Sequence, residues 1–447
     1  MNTVLTVAGS DPCGGAGVPA DLKTFSAYGV YGYSALAALV AQNTQGVYSS
    51  TPVASDFLKA QVEAVFFDTK PLAAKTGMLA TEESVKTVSA VLKKNRVKNL
   101  VVDPVIKSSN GKTLLTSKGV EELKRSLLPL ALLVTPNIPE AEILSGIKIK
   151  TSADKKRAAK KILEFGVKAV LIKGGHATKN ADDFLFDGKK VHNFPSPRLI
   201  KKNIHGTGCV LSAAITAGLA QKLDLVSAVE KAKKFITQSI GRTIAPGSGD
   251  PILEPLNGLY AEAEKHVLMQ KAIYFIQTLK ENKIGRLIPE VQSNLGLAIE
   301  NARELNDVIG IPGRIIRNGE DAYTVSPPMF GGSRHVADIV LTTMIHDPTK
   351  RAVMNIKYSD QLLSICKKLK YKISSFDRAD EPKKVKALEG SSLEWGSDRA
   401  IRDFGSVPDI IFDLGGFGKE EMIRVIANDS NDLLQKILKI NILAKKL

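Results

Sequence analysis

From Met1 to about Ile252, short apolar runs rich in Val, Ile and Leu alternate with amphipathic stretches. The runs at 4–8, 34–40, 100–103, 132–135 and 169–173 are short enough for strands, and the first is followed by a helix-like stretch at 20–28. This alternation predicts βαβ units around a doubly wound, mostly parallel sheet, an α/β fold. Ligands on such sheets sit at the carboxyl ends of strands. The unusual polar groups of this sequence gather there: Gly9-Ser10-Asp11, Gln42-Asn43-Thr44, Asp103-Pro104, Thr135-Pro136-Asn137 and Lys173-Gly174-Gly175.

The pattern breaks at Ala245-Pro246-Gly247-Ser248-Gly249-Asp250-Pro251, with Pro255 and Gly258 soon after, and turn-formers this dense end a domain. Two domains are expected, 1–259 and 260–447. The 447-residue length agrees, because a single core stops growing at about 250–300 residues. The second domain opens on a helix-like stretch at 261–280, with strands expected at 314–316, 339–341, 352–356 and 409–412, and reads as a smaller α/β unit.

With 44% apolar and 24% charged residues the chain can bury proper cores, and it contains no apolar run long enough to span a membrane. The apolar start breaks at once into Gly9-Ser10-Asp11 with no basic leader, so a cytoplasmic location is expected. The net charge of +16 is scattered over several amphipathic stretches rather than gathered in one arm. That favours solvated helix faces and small anionic substrates over a nucleic-acid or membrane footprint. Three cysteines form no disulfide framework and show no metal-ligand spacing, so each is read singly as a buried or catalytic thiol.

Gly15-Ala16-Gly17-Val18-Pro19-Ala20 has the form of a dinucleotide fingerprint, yet the next strand ends in Gln42-Asn43-Thr44 where that site wants an acidic residue, which disfavours a nicotinamide cofactor. No GxxxxGK[ST] loop occurs. A different phosphate cradle is written at His205-Gly206-Thr207-Gly208-Cys209, directly before an apolar helix at 210–220, where glycines turn backbone N–H groups toward one point at a helix N-terminus. Alone, it would read as an ordinary Gly-rich helix start. It is accompanied by Asp103 at one strand end and by Asn137 and Glu140 just beyond another, hard oxygen donors suited to magnesium held through water.

These segments, together with Ala20-Asp21-Leu22-Lys23-Thr24-Phe25 and Lys173-Gly174-Gly175-His176, resemble the hydroxymethylpyrimidine and hydroxymethylpyrimidine-phosphate kinases of the ribokinase superfamily over about residues 3–245. The resemblance implies two successive phosphoryl transfers using ATP and Mg2+. It implies that Asp21 and Gln42 hydrogen-bond the aminopyrimidine edge in a pocket lined by Gly9, Met78 and Val105. Asp103, Asn137 and Glu140 would serve Mg-ATP, with Asp103 and Glu140 toward the metal, and Lys173, Gly206, Thr207 and Gly208 would take the phosphates. Cys209 stands where related sugar kinases place an aspartate base. A thiol at a helix N-terminus has a lowered pKa, so Cys209 is the implied proton acceptor of the first transfer, the bland alternative being a small residue in a tight turn. The chain departs from the family at Pro246-Gly247-Ser248-Gly249-Asp250, where a basic residue is usual.

In the second domain, Ile311-Pro312-Gly313-Arg314-Ile315-Ile316-Arg317 and Phe330-Gly331-Gly332-Ser333-Arg334-His335 set basic side chains after glycine turns, and Asp409-Ile410-Ile411-Phe412-Asp413-Leu414-Gly415-Gly416-Phe417-Gly418-Lys419-Glu420 ends a strand in a glycine cluster. Such groups suit phosphorylated substrates, though Arg314 and Arg317 read equally as surface charges and His335 as a helix-end histidine. With Leu287-Ile288-Pro289-Glu290-Val291 and Asn294, they resemble the archaeal-type thiamine-phosphate synthase domain over about residues 264–437. The resemblance implies condensation of hydroxymethylpyrimidine diphosphate with hydroxyethylthiazole phosphate, with Arg314 and His335 catalytic. A homo-oligomer with small-molecule substrates is expected. The competing possibility is a pyridoxal-type kinase followed by a domain that senses a ligand without catalysis.

Overall fold

The computed structural model describes residues 1–446 apart from 109–110, 175–181, 196–203, 242, 383–384, 386–390 and 417. The chain divides into two compact units, Met1–Leu259 and Tyr260–Leu447.

The first unit is built on a nine-stranded sheet in the order β3-β2-β1-β4-β5-β6-β7-β8-β9. Its strands are β1 (Thr3–Gly9), β2 (Tyr31–Asn43), β3 (Gly46–Pro52), β4 (Ala73–Thr76), β5 (Leu100–Val102), β6 (Leu133–Val134), β7 (Ala169–Ile172), β8 (Asp183–Phe186) and β9 (Val191–Phe194). From β2 through β1, β4, β5 and β6 to β7 the pairing is parallel, with β3 at one edge and the β8–β9 hairpin at the other running antiparallel. The helices are α1 (Gly17–Ala27), α2 (Ser55–Asp68), α3 (Glu82–Lys94), α4 (Ser117–Glu122), α5 (Ile138–Ser145), α6 (Ser152–Leu163), α7 (Thr207–Ala220) and α8 (Leu225–Ile240).

Consecutive strand residues feed opposite cores, as the period of two demands. Ala74, Leu100, Val102, Val134 and Val170 pack with α2, α3 and α6, while Ala73, Val101, Leu133, Ala169 and Leu171 pack with α1, α7 and α8. A sheet covered on both faces reads as continuous apolar runs, which is the pattern of these strands. Because the central strands are parallel, the residues at or just past their carboxyl ends, among them Gly9, Asp103 and Lys173, share one edge of the sheet.

The second unit begins in α9 (Asn257–Glu281) and carries a seven-stranded sheet in the order β14-β11-β10-β15-β18-β17-β16, with a separate β12–β13 hairpin. These strands are β10 (Leu295–Ala298), β11 (Val308–Gly310), β12 (Ile315–Asn318), β13 (Asp321–Thr324), β14 (Met329–Phe330), β15 (Ala352–Lys357), β16 (Ile373–Ser375), β17 (Ile410–Asp413) and β18 (Met422–Ala427). Every pairing in the large sheet is antiparallel except β16 with β17. Helices α10 (Arg334–His346), α11 (Asp360–Lys368), α12 (Ser391–Phe404) and α13 (Ser430–Ala444) follow. Met354, Ile410 and Val425 pack with α9, α11 and α13, and their strand neighbours Val353, Ile411 and Ile426 pack with α10 and α12.

One expected strand is corrected. Residues 339–341 lie inside α10. Three apolar residues do not choose a conformation by themselves, and the flanking positions decide: Val336, Ala337, Val340 and Met344 are all buried, at helical spacing. Helix α10 rests on β10 at Gly296, where a Cβ would stand 2.7 Å from methyl groups of both Val336 and Val340. Gly296→Ala should therefore overpack this contact and destabilise the second unit by roughly 1–3 kcal/mol. Denaturant unfolding should show the loss in the transition of that unit, with the first unit unaffected.

Candidate functional site

Helix α7 starts without a capping side chain. Its N-cap, Gly206, has φ +89°, and a Cβ there would collide with the carbonyl oxygen of Gly15. Only glycine lets this loop lie directly on the Gly-rich turn before α1. Asp11 holds that turn in place. Its carboxylate accepts the backbone N–H groups of Cys13 at 3.0 Å, Gly15 at 3.0 Å and Ala16 at 2.7 Å, and the Nε2–H of His205 at 2.9 Å. Burial opposes the Asp11 charge, but these donors, His205 foremost, hold its pKa down at about 2. Asp11, Cys13 and His205 thus form a cluster that sequence spacing did not reveal; its groups bond one another, Cys13 Sγ donating to Asp11 at 2.9 Å.

Beside these loops lies a cavity of about 560 Å³. Gly9, Gln42, Met78 and Val105 line it, and so do Asp103, Asn137, Glu140, Lys173 and the Gly206-Thr207-Gly208-Cys209 start of α7. Val105 has φ +39°, a strained conformation for a β-branched residue and of the kind that clusters at functional sites. Lys173 Nζ donates to Asp103 Oδ1 at 2.9 Å, and a Cβ on Gly208 would stand 3.3 Å from that Nζ. The open helix end and the ammonium therefore face the same space. Burial works against the Lys173 charge, and Asp103 and Glu140 outweigh it, raising its pKa.

Asn137 and Glu140 close a reciprocal capping box on α5, the Asn137 side chain accepting the Glu140 N–H at 2.9 Å and the Glu140 carboxylate accepting the Asn137 N–H at 2.9 Å. The other Glu140 oxygen accepts the Ile106 N–H at 3.2 Å. Burial raises the Glu140 pKa against the pull of Lys173. Each carboxylate oxygen of Glu140 keeps a second lone pair, and Asp103 adds hard oxygens beside it. The donor set therefore fits a magnesium ion bound through water.

Two expectations about this cavity are corrected. Asp21 does not line it. The residue is fully buried on the inner side of α1, where its carboxylate pairs with Lys75 of β4 and accepts the Thr6 hydroxyl at 2.6 Å, so its oxygens are taken up within the protein. Cys209, although half-buried at the cavity wall, is not a low-pKa thiol. Burial pushes it up to about 11, with Asp21 and Asp103 adding to the rise and Lys75 opposing it. A helix terminus contributes only part of a charge, too little against desolvation and two carboxylates. Gly175 and His176 lie outside the described residues.

The second unit has a cavity of about 470 Å³. Arg314 and His335 both line it, as exposed side chains, whereas Arg317 does not. Arg314 follows the Pro312-Gly313 turn at φ +70° and donates to the carbonyl oxygen of Val291. His335 is the second residue of α10. Glu420 accepts the N–H groups of Glu290 at 3.0 Å and Val291 at 2.8 Å, tying the glycine cluster after β17 to this rim. Phe417 of that cluster lies outside the described residues. Deeper in the wall, Asp413 accepts Arg378 Nε at 2.5 Å and Arg424 Nη2 at 2.7 Å.

Residues 11–254 match the phosphomethylpyrimidine kinase family, and residues 269–439 match the thiamine-phosphate synthase ThiN family. A bifunctional thiamine biosynthesis protein ThiDN of Methanocaldococcus jannaschii is 34% identical over 435 residues, covering 97% of this chain and 97% of that protein. The chain belongs to this bifunctional family. A hydroxymethylpyrimidine/phosphomethylpyrimidine kinase of Aquifex aeolicus is 43% identical over 251 residues, 56% of this chain and 98% of that protein. Among solved structures, the pyridoxal kinase of Bacillus subtilis in complex with ADP superposes with a TM-score of 0.54 at 36% identity over 57% of this chain and 98% of that one. The pyridoxal kinase of Staphylococcus aureus bound to AMP-PCP and pyridoxal gives 0.52 at 35% identity over 57% and 94%. The first unit is thus a ribokinase-like kinase domain of a family that handles adenine nucleotides, and the second is a thiamine-phosphate synthase domain.

Lys75, Arg378 and Arg424 escaped the sequence reading, yet a signal was present. Lys75 interrupts Ala73-Ala74-Lys75-Thr76, and Arg424 interrupts Met422-Ile423-Arg424-Val425-Ile426, single charges inside strands that are otherwise apolar. Such a charge must have a buried partner. Lys75→Met, which strands Asp21, should cost about 3–5 kcal/mol, and adding Asp21→Leu should recover much of it. Denaturant unfolding of the single and double variants measures both, and equal losses would show that the pair is not coupled.

Proposed function

We propose that the chain makes thiamine phosphate in three steps: ATP phosphorylates 4-amino-5-hydroxymethyl-2-methylpyrimidine, ATP phosphorylates the product again, and the diphosphate is condensed with hydroxyethylthiazole phosphate. The observation that carries this is the end-to-end match to a bifunctional relative, with a cavity in each unit whose lining includes charged side chains. In the first transfer the alcohol oxygen attacks the γ-phosphorus of ATP, the bond to the bridging oxygen breaks, and ADP leaves. The N–H groups at the start of α7 and the Lys173 ammonium receive the phosphoryl oxygens. Magnesium, held through water by Asp103 and Glu140, neutralises phosphate charge when bound. With Gly9, Met78 and Val105 against the ring, the Gln42 amide on the same wall offers both a donor and an acceptor to the aminopyrimidine edge. Lys107, also on the wall, is the cation available in place of the basic residue missing near Ser248.

With burial raising its pKa to about 11, the Cys209 thiol is disfavoured as the group that removes the alcohol proton. Phosphoryl transfer passes through a loose transition state in which the nucleophile is little bonded. The proton leaves late, to the Asp103 carboxylate. The second transfer needs no base, since a phosphate oxygen is already anionic. In the third step the bond between the pyrimidine methylene carbon and the diphosphate oxygen breaks, pyrophosphate leaves with the electron pair, and the thiazole nitrogen forms the new bond to that carbon. Arg314 and His335 stabilise the departing charge.

A cytoplasmic homo-oligomer belongs to the same proposal. Among the described residues no helix is long and apolar enough to cross a membrane. The exposed Leu39, Tyr48 and Phe57 on β2, β3 and α2 offer an apolar surface for self-association.

With each pyrimidine substrate assayed separately, Asp103→Asn should slow the first phosphorylation by about 10²–10⁴-fold and the second by less, whereas Cys209→Ala should cost both roughly tenfold or less. A first step lost selectively in Cys209→Ala would restore the thiol as base. For the synthase, supplied with pre-made diphosphate and thiazole phosphate, Arg314→Ala should lower thiamine phosphate formation by roughly 10²–10³-fold, with Arg314→Lys in between. His335→Ala should also lose product, and both kinase steps should stay at wild-type rates. No product from the wild-type chain would return the second unit to a ligand sensor.

A further inference from the structure

Arg424 is only 2% exposed and lines the second cavity, and its buried Nη1 has no hydrogen-bond partner among the described residues. Its Nη2 is spent on Asp413 at 2.7 Å, and that same carboxylate is shared with Arg378 at 2.5 Å. The Phe376 ring lies 5.3 Å from the Arg424 guanidinium carbon and 5.7 Å from that of Arg378, offering its π-face to both. The buried Arg424 and the half-buried Arg378 thus share one carboxylate, and a strong donor is left unmade. An unsatisfied buried donor is costly, more so when charged.

An independent feature meets Arg424 in the same cavity. Helix α10 begins at Ser333 with no side-chain cap and no acidic residue in its first turn, and Ser333, His335 and Val336 line the cavity. The first turn instead carries Arg334 and His335. Cations are unfavourable at the positive end of a helix dipole. Both features are relieved by the same thing, an anion with several acceptor oxygens.

We propose that the wall formed by Arg424 and the bare N-terminus of α10 is the seat of a substrate phosphate group, with Arg378 and Asp413 as positioning residues that hold the Arg424 fork in place. The proposal rests on the synthase reading for the identity of the phosphate, which is either the diphosphate of the pyrimidine or the monophosphate of the thiazole. Register supports the arrangement: Arg424 of β18 stands opposite Ile411 of β17 and Asn355 of β15, and its side chain is on the face covered by α10 and α12, as is that of Asp413.

The test uses the full chain and Arg424→Met, which leaves Asp413 paired with Arg378. Pyrophosphate and inorganic phosphate are titrated calorimetrically with the kinase cavity saturated by AMP-PCP, and KM and kcat are measured for each synthase substrate. The expected result is binding weakened by roughly 10²-fold, with KM raised more than kcat is lowered. A rise in KM for the diphosphate together with loss of pyrophosphate binding assigns the seat to the diphosphate, and a rise for the thiazole phosphate with loss of phosphate binding assigns it to the monophosphate. Arg424→Lys, which keeps the charge, should restore part of either loss and decides the matter if Arg424→Met does not fold. Wild-type protein that binds neither anion, or variants within twofold of wild type in every constant, would overturn the seat. If wild-type protein makes no thiamine phosphate while Arg424→Met still abolishes anion binding, the seat stands and the synthase reading falls.

Discussion

A helix that begins without a capping side chain leaves backbone N–H groups with nothing to bond, and both cavities of this protein are arranged around such an end. Helices α3, α5, α6, α8, α11 and α13 all begin with a side chain that accepts one of those N–H groups. Helices α1, α2, α7 and α10 do not, and the starts of α1, α7 and α10 line the cavities. In the first unit the omission is enforced by space: Gly206 must fit against the carbonyl of Gly15, which excludes every side chain, including those that cap. Asp11 supplies the complementary constraint by bonding the turn on which Gly206 rests. No side chain therefore caps this helix end, and hydrogen bonds to Asp11 fix the turn beneath it.

Buried charge does the rest of the positioning. A buried ion pair is a weak source of stability, because desolvation consumes most of its Coulomb attraction. Lys75 with Asp21, and Asp413 with Arg378 and Arg424, are better understood as fixed fields than as fasteners. The field of Asp21 and Asp103 helps lift the Cys209 thiol to about 11. Burial is the larger cause, and the field adds to it, so the residue standing where a carboxylate base is usual in sugar kinases is held above the ordinary thiol range.

Much of this was legible in the sequence. The strand ends were, because parallel strands buried on both faces announce themselves as apolar runs that stop abruptly at polar residues. The glycines of 206 and 208 were, because Asp103, Asn137 and Glu140 at neighbouring strand ends set them apart from an ordinary Gly-rich helix start. What stayed hidden was set by pairing. Asp21 looked available because its partner Lys75 is 54 residues away and its position on the inner side of α1 depends on how that helix rolls. The strand expected at 339–341 failed because three apolar residues fit either period, and only the spacing of Val336, Val340 and Met344 around them is decisive. The Cys209 shift followed from tertiary burial, which no local motif encodes.

The two sites differ in the sign of what they leave uncompensated. Around the first cavity, Lys75 answers Asp21 and Lys173 answers Asp103, and Glu140 remains, buried and pushed toward its neutral form. A cation entering there would restore the Glu140 charge and be held by it, which suits a nucleotide that arrives with a metal. In the second unit two arginines face one aspartate, and the surplus is positive. An anion entering there completes the Arg424 fork and satisfies the open end of α10 together. Under the proposal, a phosphorylated substrate would be held by Arg424 and the α10 terminus while Arg314 and His335 meet the departing pyrophosphate, so long as the donors reach their full complement only once the bond has broken.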